Sequence, residues 1–85
     1  MIPAEWIHLG ERELTPAQVK QLETGSKVTR ISADRHGESQ RMEYTVVSSG
    51  RKKVLVALSP MSMEKIIRPI KANDNCRYVV ARGKP

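Results

Sequence analysis

The sequence predicts a small α+β domain: a short N-terminal helix, a three-stranded antiparallel meander, a second short helix and a last strand. Two patterns carry this prediction, namely a helix-start signature at residues 15–19 and alternating apolar and polar residues from residue 26 onward. The chain has 85 residues, a length typical of one domain. Residues 1–85 are therefore expected to share a single core.

The first helix is predicted to begin after Thr15 and to end near Thr24. Thr15 can cap the helix, Pro16 stands at the first helical position, and Gln18 completes a capping box. Gly25 follows as a left-handed stop. Because a helix of about nine residues is marginal in isolation, it must pack on another element.

Three strands are predicted next, joined by turns at residues 34–37 and 48–51. The strand at residues 40–47 alternates apolar and polar side chains, as expected of a strand buried on one face. Residues 54–58 are all apolar, which predicts that 52–58 is the central, buried strand of the sheet. The first strand of this meander is expected at residues 27–33.

The last third of the chain predicts a second helix and a final strand. Residues 61–68 have apolar side chains at helical spacing, with Ser59 as cap, Pro60 in the first turn and Pro69 as terminator. The order of elements is then α-β-β-β-α-β. Further expectations are a loop at 71–75, a strand at 76–81, a frayed tail at 82–85, and an extra N-terminal edge strand at 5–9.

The charge of the chain is positive and unevenly distributed. The net charge is +6; residues 1–25 carry two basic and four acidic side chains, whereas residues 26–85 carry thirteen basic and five acidic ones. A basic segment of this kind favours a polyanionic partner, DNA or RNA above all.

Seven basic side chains of the predicted strands and turns are the candidate nucleic-acid-binding residues. We expect them to converge on one face or edge of the sheet and to contact phosphates there. The alternative is that they keep the sheet edges soluble and prevent aggregation. The seven residues are Lys27, Arg30, Arg41, Arg51, Lys52, Lys53 and Arg77.

No residue pattern predicts catalysis, a metal site or a cofactor. His36 lies in a segment that opens with Asp34 and closes with Gly37, which indicates a turn rather than a catalytic base. His8 is expected to face solvent, and the single cysteine, Cys76, is expected to be a buried thiol. A lone cysteine also favours a reducing, cytoplasmic location, and no segment is apolar enough to span a membrane.

The aromatic residues are too few for a base-stacking surface. Tyr44 and Tyr78 alternate in step with apolar neighbours, so both are predicted to lie in the core. Trp6 is either a lid over the core or an exposed contact patch, and the sequence leaves both open.

Two hypotheses for function follow from these observations. The first is a non-enzymatic basic module that contacts nucleic acid through phosphates. The second is a protein-interaction or regulatory module that dimerises or docks on a larger partner, through a patch around Trp6 or residues 61–63. In general character the chain is similar to small proteins of phages, prophages and plasmids, but no motif carries that likeness.

Overall fold

A computed structural model describes residues 2–59, 61–71 and 75–81. These residues form one six-stranded antiparallel sheet with a single short α-helix. In chain order the elements are a 3₁₀ helix at Ala4–Trp6, β1 (Glu11–Leu14), α1 (Pro16–Lys20), β2 (Lys27–Ala33), β3 (Ser39–Ser49), β4 (Lys52–Leu58), β5 (Lys65–Pro69) and β6 (Cys76–Ala81). The chain is therefore mainly sheet, and the predicted α+β class overstated its helix content.

The strands lie in the order β1-β6-β2-β3-β4-β5. The meander predicted from the sequence is confirmed, and it continues through β5, since β2 to β5 are successive neighbours. The last strand, β6, then inserts between β1 and β2 and pairs antiparallel with both. This insertion places β6 directly beside β1, although the two strands are more than sixty residues apart in the sequence.

The helix predicted at residues 61–68 is wrong, because the second half of that segment belongs to strand β5. Met63 has a φ of 59°, which no helix tolerates, and residues 65–69 pair with β4. Ile66 and Ile67 are β-branched and suit a strand better than a helix. A helix of eight residues has little stability in isolation, so pairing with β4 prevails. Pro60, assigned to the first turn of that helix, lies outside the described residues.

The N-terminal elements also differ from the prediction. The extra edge strand exists, but it is Glu11–Leu14 rather than residues 5–9, where the 3₁₀ helix and a turn at Gly10 lie instead. The capping box at Thr15 and Gln18 is confirmed. The helix that follows ends at Lys20 and not near Thr24 as predicted. Gly25 has a positive φ, but it lies five residues beyond the helix, where its N–H donates to the Val46 carbonyl.

The inner face of the sheet, defined as the face that carries Leu14, Tyr44 and Tyr78, holds the main core. All six strands contribute to this core, and Val19 from α1 packs against it with no exposed surface. Because strands from both edges share one cluster, the sheet must curl around it. The Tyr78 hydroxyl, which donates to the Lys71 carbonyl 3.5 Å away, links β6 to the chain just after β5.

The opposite, outer face is only partly covered. Ile2 packs on Ile31 and Val79 there, with Trp6 and Ile7 beside them, so Trp6 is part of a lid. The lid does not extend over β4 and β5.

Strand β4 is an interior strand, as predicted, although β2 and β3 occupy the centre of the sheet. Leu55 and Ala57 on its inner face are buried, whereas Val54 and Val56 on its outer face are half-buried and Leu58 is exposed. The prediction of burial on both faces is therefore right for the inner face alone. The predicted frayed tail at 82–85 and most of the loop at 71–75 lie outside the described residues.

Candidate nucleic-acid interface

The structure divides the seven predicted binding residues among three places instead of one. Three of them, Lys27, Arg41 and Arg77, belong to the outer face. The strand registers place Arg41 and Arg77 on either side of the outer-face residue Ile31. Lys27 has the same parity on β2 as Ile31 and lies opposite Thr45. Arg30 lies on the inner face, opposite Met42 and Tyr78. The remaining three, residues 51–53, lie at the end of the β3–β4 hairpin.

The two outer-face arginines are already neutralised by carboxylates. Arg41 forms an ion pair with Glu11, and Arg77 donates from Nη1 to both carboxylate oxygens of Glu13 at 2.8 and 2.9 Å. The side-chain hydrogen bond from Arg41 lowers the pKa of Glu11 and the same bond raises the pKa of Arg41, so both stay charged. These arginines tie β1 to the rest of the sheet and have little charge left for phosphates.

The N-terminal segment is held by the same two arginines. Arg77 donates from Nε to the Ile2 carbonyl at 2.9 Å, and Arg41 donates from Nη2 to the Trp6 carbonyl at 3.4 Å. Their role in this structure is therefore to fasten the lid. Lys27 donates to the Thr45 hydroxyl at 2.8 Å and is the one exposed lysine on the outer face of β2.

The β3–β4 hairpin presents its basic end through a two-residue loop. Ser49 pairs with Lys52, and Gly50 and Arg51 form the loop between them. Gly50 has a φ of 63° while Arg51 does not have a positive φ, which is the pattern of a type II′ turn. This tight turn places Arg51 and Lys52 next to each other on the exposed end of the hairpin.

A cleft of about 470 Å³ lies beside this hairpin end and is lined by five cationic residues. We call it the basic cleft. Its floor is apolar and consists of Val54, Pro69 and Ile70. Among the described residues that line it there is no carboxylate. The five cationic residues are Lys20, Arg51, Lys52, Lys53 and Lys71.

One of the five cationic residues of the cleft, Lys53, has a structural role. Lys53 donates from Nζ to the backbone carbonyl of Leu22, one of the carbonyls beyond the end of α1. Lys53 thereby ties the segment after α1 to β4, a structural role that the sequence did not indicate. Lys20, Arg51 and Lys52 are exposed.

Sequence reasoning missed Lys20 and Lys71. Lys20 is the last residue of α1, and Lys71 follows a segment that was expected to be helical. Neither residue is near the hairpin in sequence, and only the pairing of β5 with β4 brings Lys71 to it. A strand assignment for 65–69 would have been the signal for Lys71, whereas nothing in the sequence indicated Lys20.

The other candidate residues are structural. Tyr44 and Tyr78 are buried in the inner core, as predicted, so their rings are not available for base stacking. Cys76 is buried as well, and His8 is exposed. Asp34 accepts backbone hydrogen bonds from His36 and Glu38 at 2.8 and 2.9 Å, which confirms the turn.

In the described parts of the chain, no group of three or more His, Cys, Asp or Glu side chains could hold a metal ion. Within the same ranges, no helix is long and apolar enough to cross a membrane.

Comparison with known protein families, with curated proteins and with solved structures finds no match for this chain. The fold and the site together define a small curled antiparallel sheet with a basic cleft at one hairpin end.

Proposed function

We propose that the protein is a non-enzymatic module that binds nucleic acid through its phosphates in the basic cleft. The observation that carries this proposal is the convergence of five cationic residues, without a described carboxylate, on one concave surface. Phosphate contacts of this kind supply affinity without reading sequence. Because both tyrosine rings are buried, binding does not depend on base stacking.

The distribution of ion pairs supports the cleft over the other basic surfaces. On the outer face, Arg41 and Arg77 each have a glutamate partner. In the cleft, Arg51, Lys52 and Lys20 are exposed without a described ion pair. Protection of a sheet edge against aggregation needs only isolated lysines on the edge strand, such as Lys65 on β5. It does not explain why cations from a helix, a hairpin and a loop line one cleft. Uncompensated positive charge in a concavity is what attracts a polyanion.

The test is a binding titration of the wild-type protein with short labelled duplex DNA, single-stranded DNA and single-stranded RNA. The four cationic residues of the cleft other than Lys53 allow four phosphate contacts. With four contacts, affinity is expected to fall roughly 50-fold for single strands and roughly 150-fold for duplexes between about 50 and about 200 mM salt. Fluorescence anisotropy measures both affinities. Absence of binding at the lower salt concentration, or binding that salt does not weaken, would contradict the proposal.

A second candidate function is self-association along the exposed edge of the sheet. Strand β5 has a neighbour on one side only, and apolar side chains are exposed on it and just before it. They are Leu58, Met61, Met63 and Ile67, with 58, 94, 70 and 60% of their surfaces exposed. Two copies of β5 can pair antiparallel about a two-fold axis, which is the commonest symmetry of dimers. The Trp6 lid is not part of this patch.

Sedimentation velocity over a range of concentrations tests this second candidate. We expect a dimer for the wild type and a monomer for Ile67→Lys, because a charge on the outer face of β5 would be desolvated in the contact. Lys27→Ser, which changes charge on the same face away from β5, is the control. A wild type that stays monomeric at every concentration would exclude self-association.

A further inference from the structure

A second concavity opens on the inner face, next to the basic cleft. Two small cavities of about 130 and 120 Å³ meet there, and Arg30 and Arg68 line both of them. We call this place the arginine pocket. Its first cavity shares Pro69 and Lys71 with the basic cleft. Arg30, Arg68 and Lys71 line the pocket without a described ion pair, and no described carboxylate lines either cavity. Arg41 also lines the second cavity, but Glu11 already neutralises its charge.

The curl of the sheet explains why the two arginines meet. Arg30 belongs to β2 and Arg68 to β5, and two strands separate β2 from β5 in the sheet. The registers place Arg30 opposite Met42 and Arg68 opposite Leu55, so both side chains belong to the inner face. An inner-face position normally carries an apolar residue; Arg30 is half-buried at such a position, whereas Arg68 is exposed on the edge strand.

Hydrogen bonds orient one of the two guanidinium groups. Arg68 donates from Nε to the Tyr44 hydroxyl at 2.9 Å, and Tyr44 is itself fixed in the core. No hydrogen bond within the described residues uses the two terminal nitrogens of Arg68. Arg30 is half-buried and has no described ion pair. Burial raises the pKa of the Tyr78 hydroxyl, and the positive charge of Arg30 acts on that pKa in the opposite direction. Arg30 is thus electrostatically close to the Tyr78 hydroxyl.

Two guanidinium groups that line the same cavities, one half-buried and one exposed, repel each other unless an anion lies between them. Planar guanidinium groups match the oxygens of phosphate and carboxylate in paired hydrogen bonds. Each cavity has room for one small oxyanion with water, but not for a nucleobase with its sugar. With Lys71 as a third cation, a doubly charged oxyanion is favoured over a carboxylate.

We propose that Arg30 and Arg68 form a binding site for one dianionic phosphoryl group, with Lys71 at its rim. Two sources supply that chemistry: free phosphate, and the terminal phosphate monoester of a nucleic-acid strand whose backbone lies in the adjoining basic cleft. The site with free phosphate stands independently of the proposed function, whereas the strand-end source rests on it.

Inorganic phosphate is the first probe, with binding followed by NMR of the arginine Nε–H signals and by calorimetry. Saturable binding that shifts the signals of Arg30 and Arg68 is expected. Arg30→Gln should weaken it at least about tenfold, since a hydrogen bond to a charged group accounts for that much. Arg30→Lys keeps the charge and should recover part of the affinity. Arg35→Gln removes the same charge from an exposed turn and should change nothing.

Arg68→Gln is expected to act like Arg30→Gln, and a thermal melt identifies any loss of fold that follows from losing the bond to Tyr44. If Arg68→Gln does not fold, Arg30→Gln still decides the question, because Arg30 has no described hydrogen bond to lose. No saturable binding of phosphate, or equal binding by the wild type and Arg30→Gln, would overturn the site.

A pair of otherwise identical oligonucleotides, one with a 5′-phosphate and one with a 5′-hydroxyl, identifies the source. A preference for the phosphorylated strand that disappears in Arg30→Gln assigns the site to a strand end. Equal affinities, together with retained binding of inorganic phosphate, assign it to free phosphate. Binding of inorganic phosphate without any binding of oligonucleotides supports the site while contradicting the proposed function, so the two failures are distinguishable.

Discussion

Replacing Leu55 by Ala is expected to lower the free energy of unfolding by about 2 to 5 kcal/mol. Leu55 has no exposed surface, lies on the interior strand β4, and belongs to the cluster that all six strands share. Truncation removes buried methyl groups and leaves a cavity that a curled sheet cannot easily close. Because a domain of this size is stable by only about 5 to 15 kcal/mol, the effect is a large part of the total.

Urea denaturation followed by tryptophan fluorescence measures this change, since the single tryptophan is in the lid on the outer face. Leu58→Ala is the matched control, because Leu58 is on the same strand but is 58% exposed. We expect the control to lie within about 0.5 kcal/mol of the wild type. Equal midpoints for the two variants would show that the inner face of β4 is not the core.

The combined replacement of Lys20, Arg51 and Lys52 by Gln is expected to weaken nucleic-acid binding on the order of 10²- to 10³-fold at low salt. The same variant should reduce the slope of log affinity against log salt by about two to three units, since each lost phosphate contact contributes nearly one. All three side chains are exposed in the basic cleft, so the fold should persist. Anisotropy titrations at several salt concentrations measure both quantities.

The control for this variant has the same loss of charge at three exposed positions outside the cleft. Arg12, Arg35 and Lys65 are exposed and are replaced by Gln together. Lys53 is left unchanged in both variants, because its bond to the Leu22 carbonyl supports α1 and its loss would mix stability with binding. If the control weakens binding as much as the cleft variant, net charge alone explains the affinity and the cleft is not the interface.

Local chemistry in the sequence was enough to predict several elements. The capping box at Thr15, the turn around Asp34 and the strands Lys27–Ala33, Lys52–Leu58 and Cys76–Ala81 are all confirmed. Each depends on interactions within a few residues or on a simple alternation of apolar and polar side chains. The burial of both tyrosines followed from the same alternation.

The error at residues 61–68 shows where such local signals are too weak. Ser59 and the spacing of the apolar residues favoured a helix, yet the segment of Ile66 and Ile67 satisfies its backbone by pairing with β4. An isolated helix of that length is stabilised less by its own hydrogen bonds than a strand is by pairing with an existing sheet. The competition is decided by the neighbouring strand, which a window of eight residues does not contain.

The candidate binding surfaces were partly predictable for the same reason. The basic hairpin end, Arg51 to Lys53, was visible as a cluster in the sequence. The partners Lys20, Arg68 and Lys71 were not, because they come from α1, from the end of β5 and from the loop after it, respectively.

The sequence by itself determined the charge, the turns and most of the strands, because these depend on residue types and near neighbours. Only the tertiary structure decided that β6 inserts between β1 and β2, that Arg41 and Arg77 are neutralised by Glu11 and Glu13, and that other cations converge on one cleft. The physical reason is that strand order and curl arise from burying the apolar side chains of all six strands in one core. That burial is a property of the whole chain, and it places charges together that are far apart in sequence, such as Lys20 and Lys71.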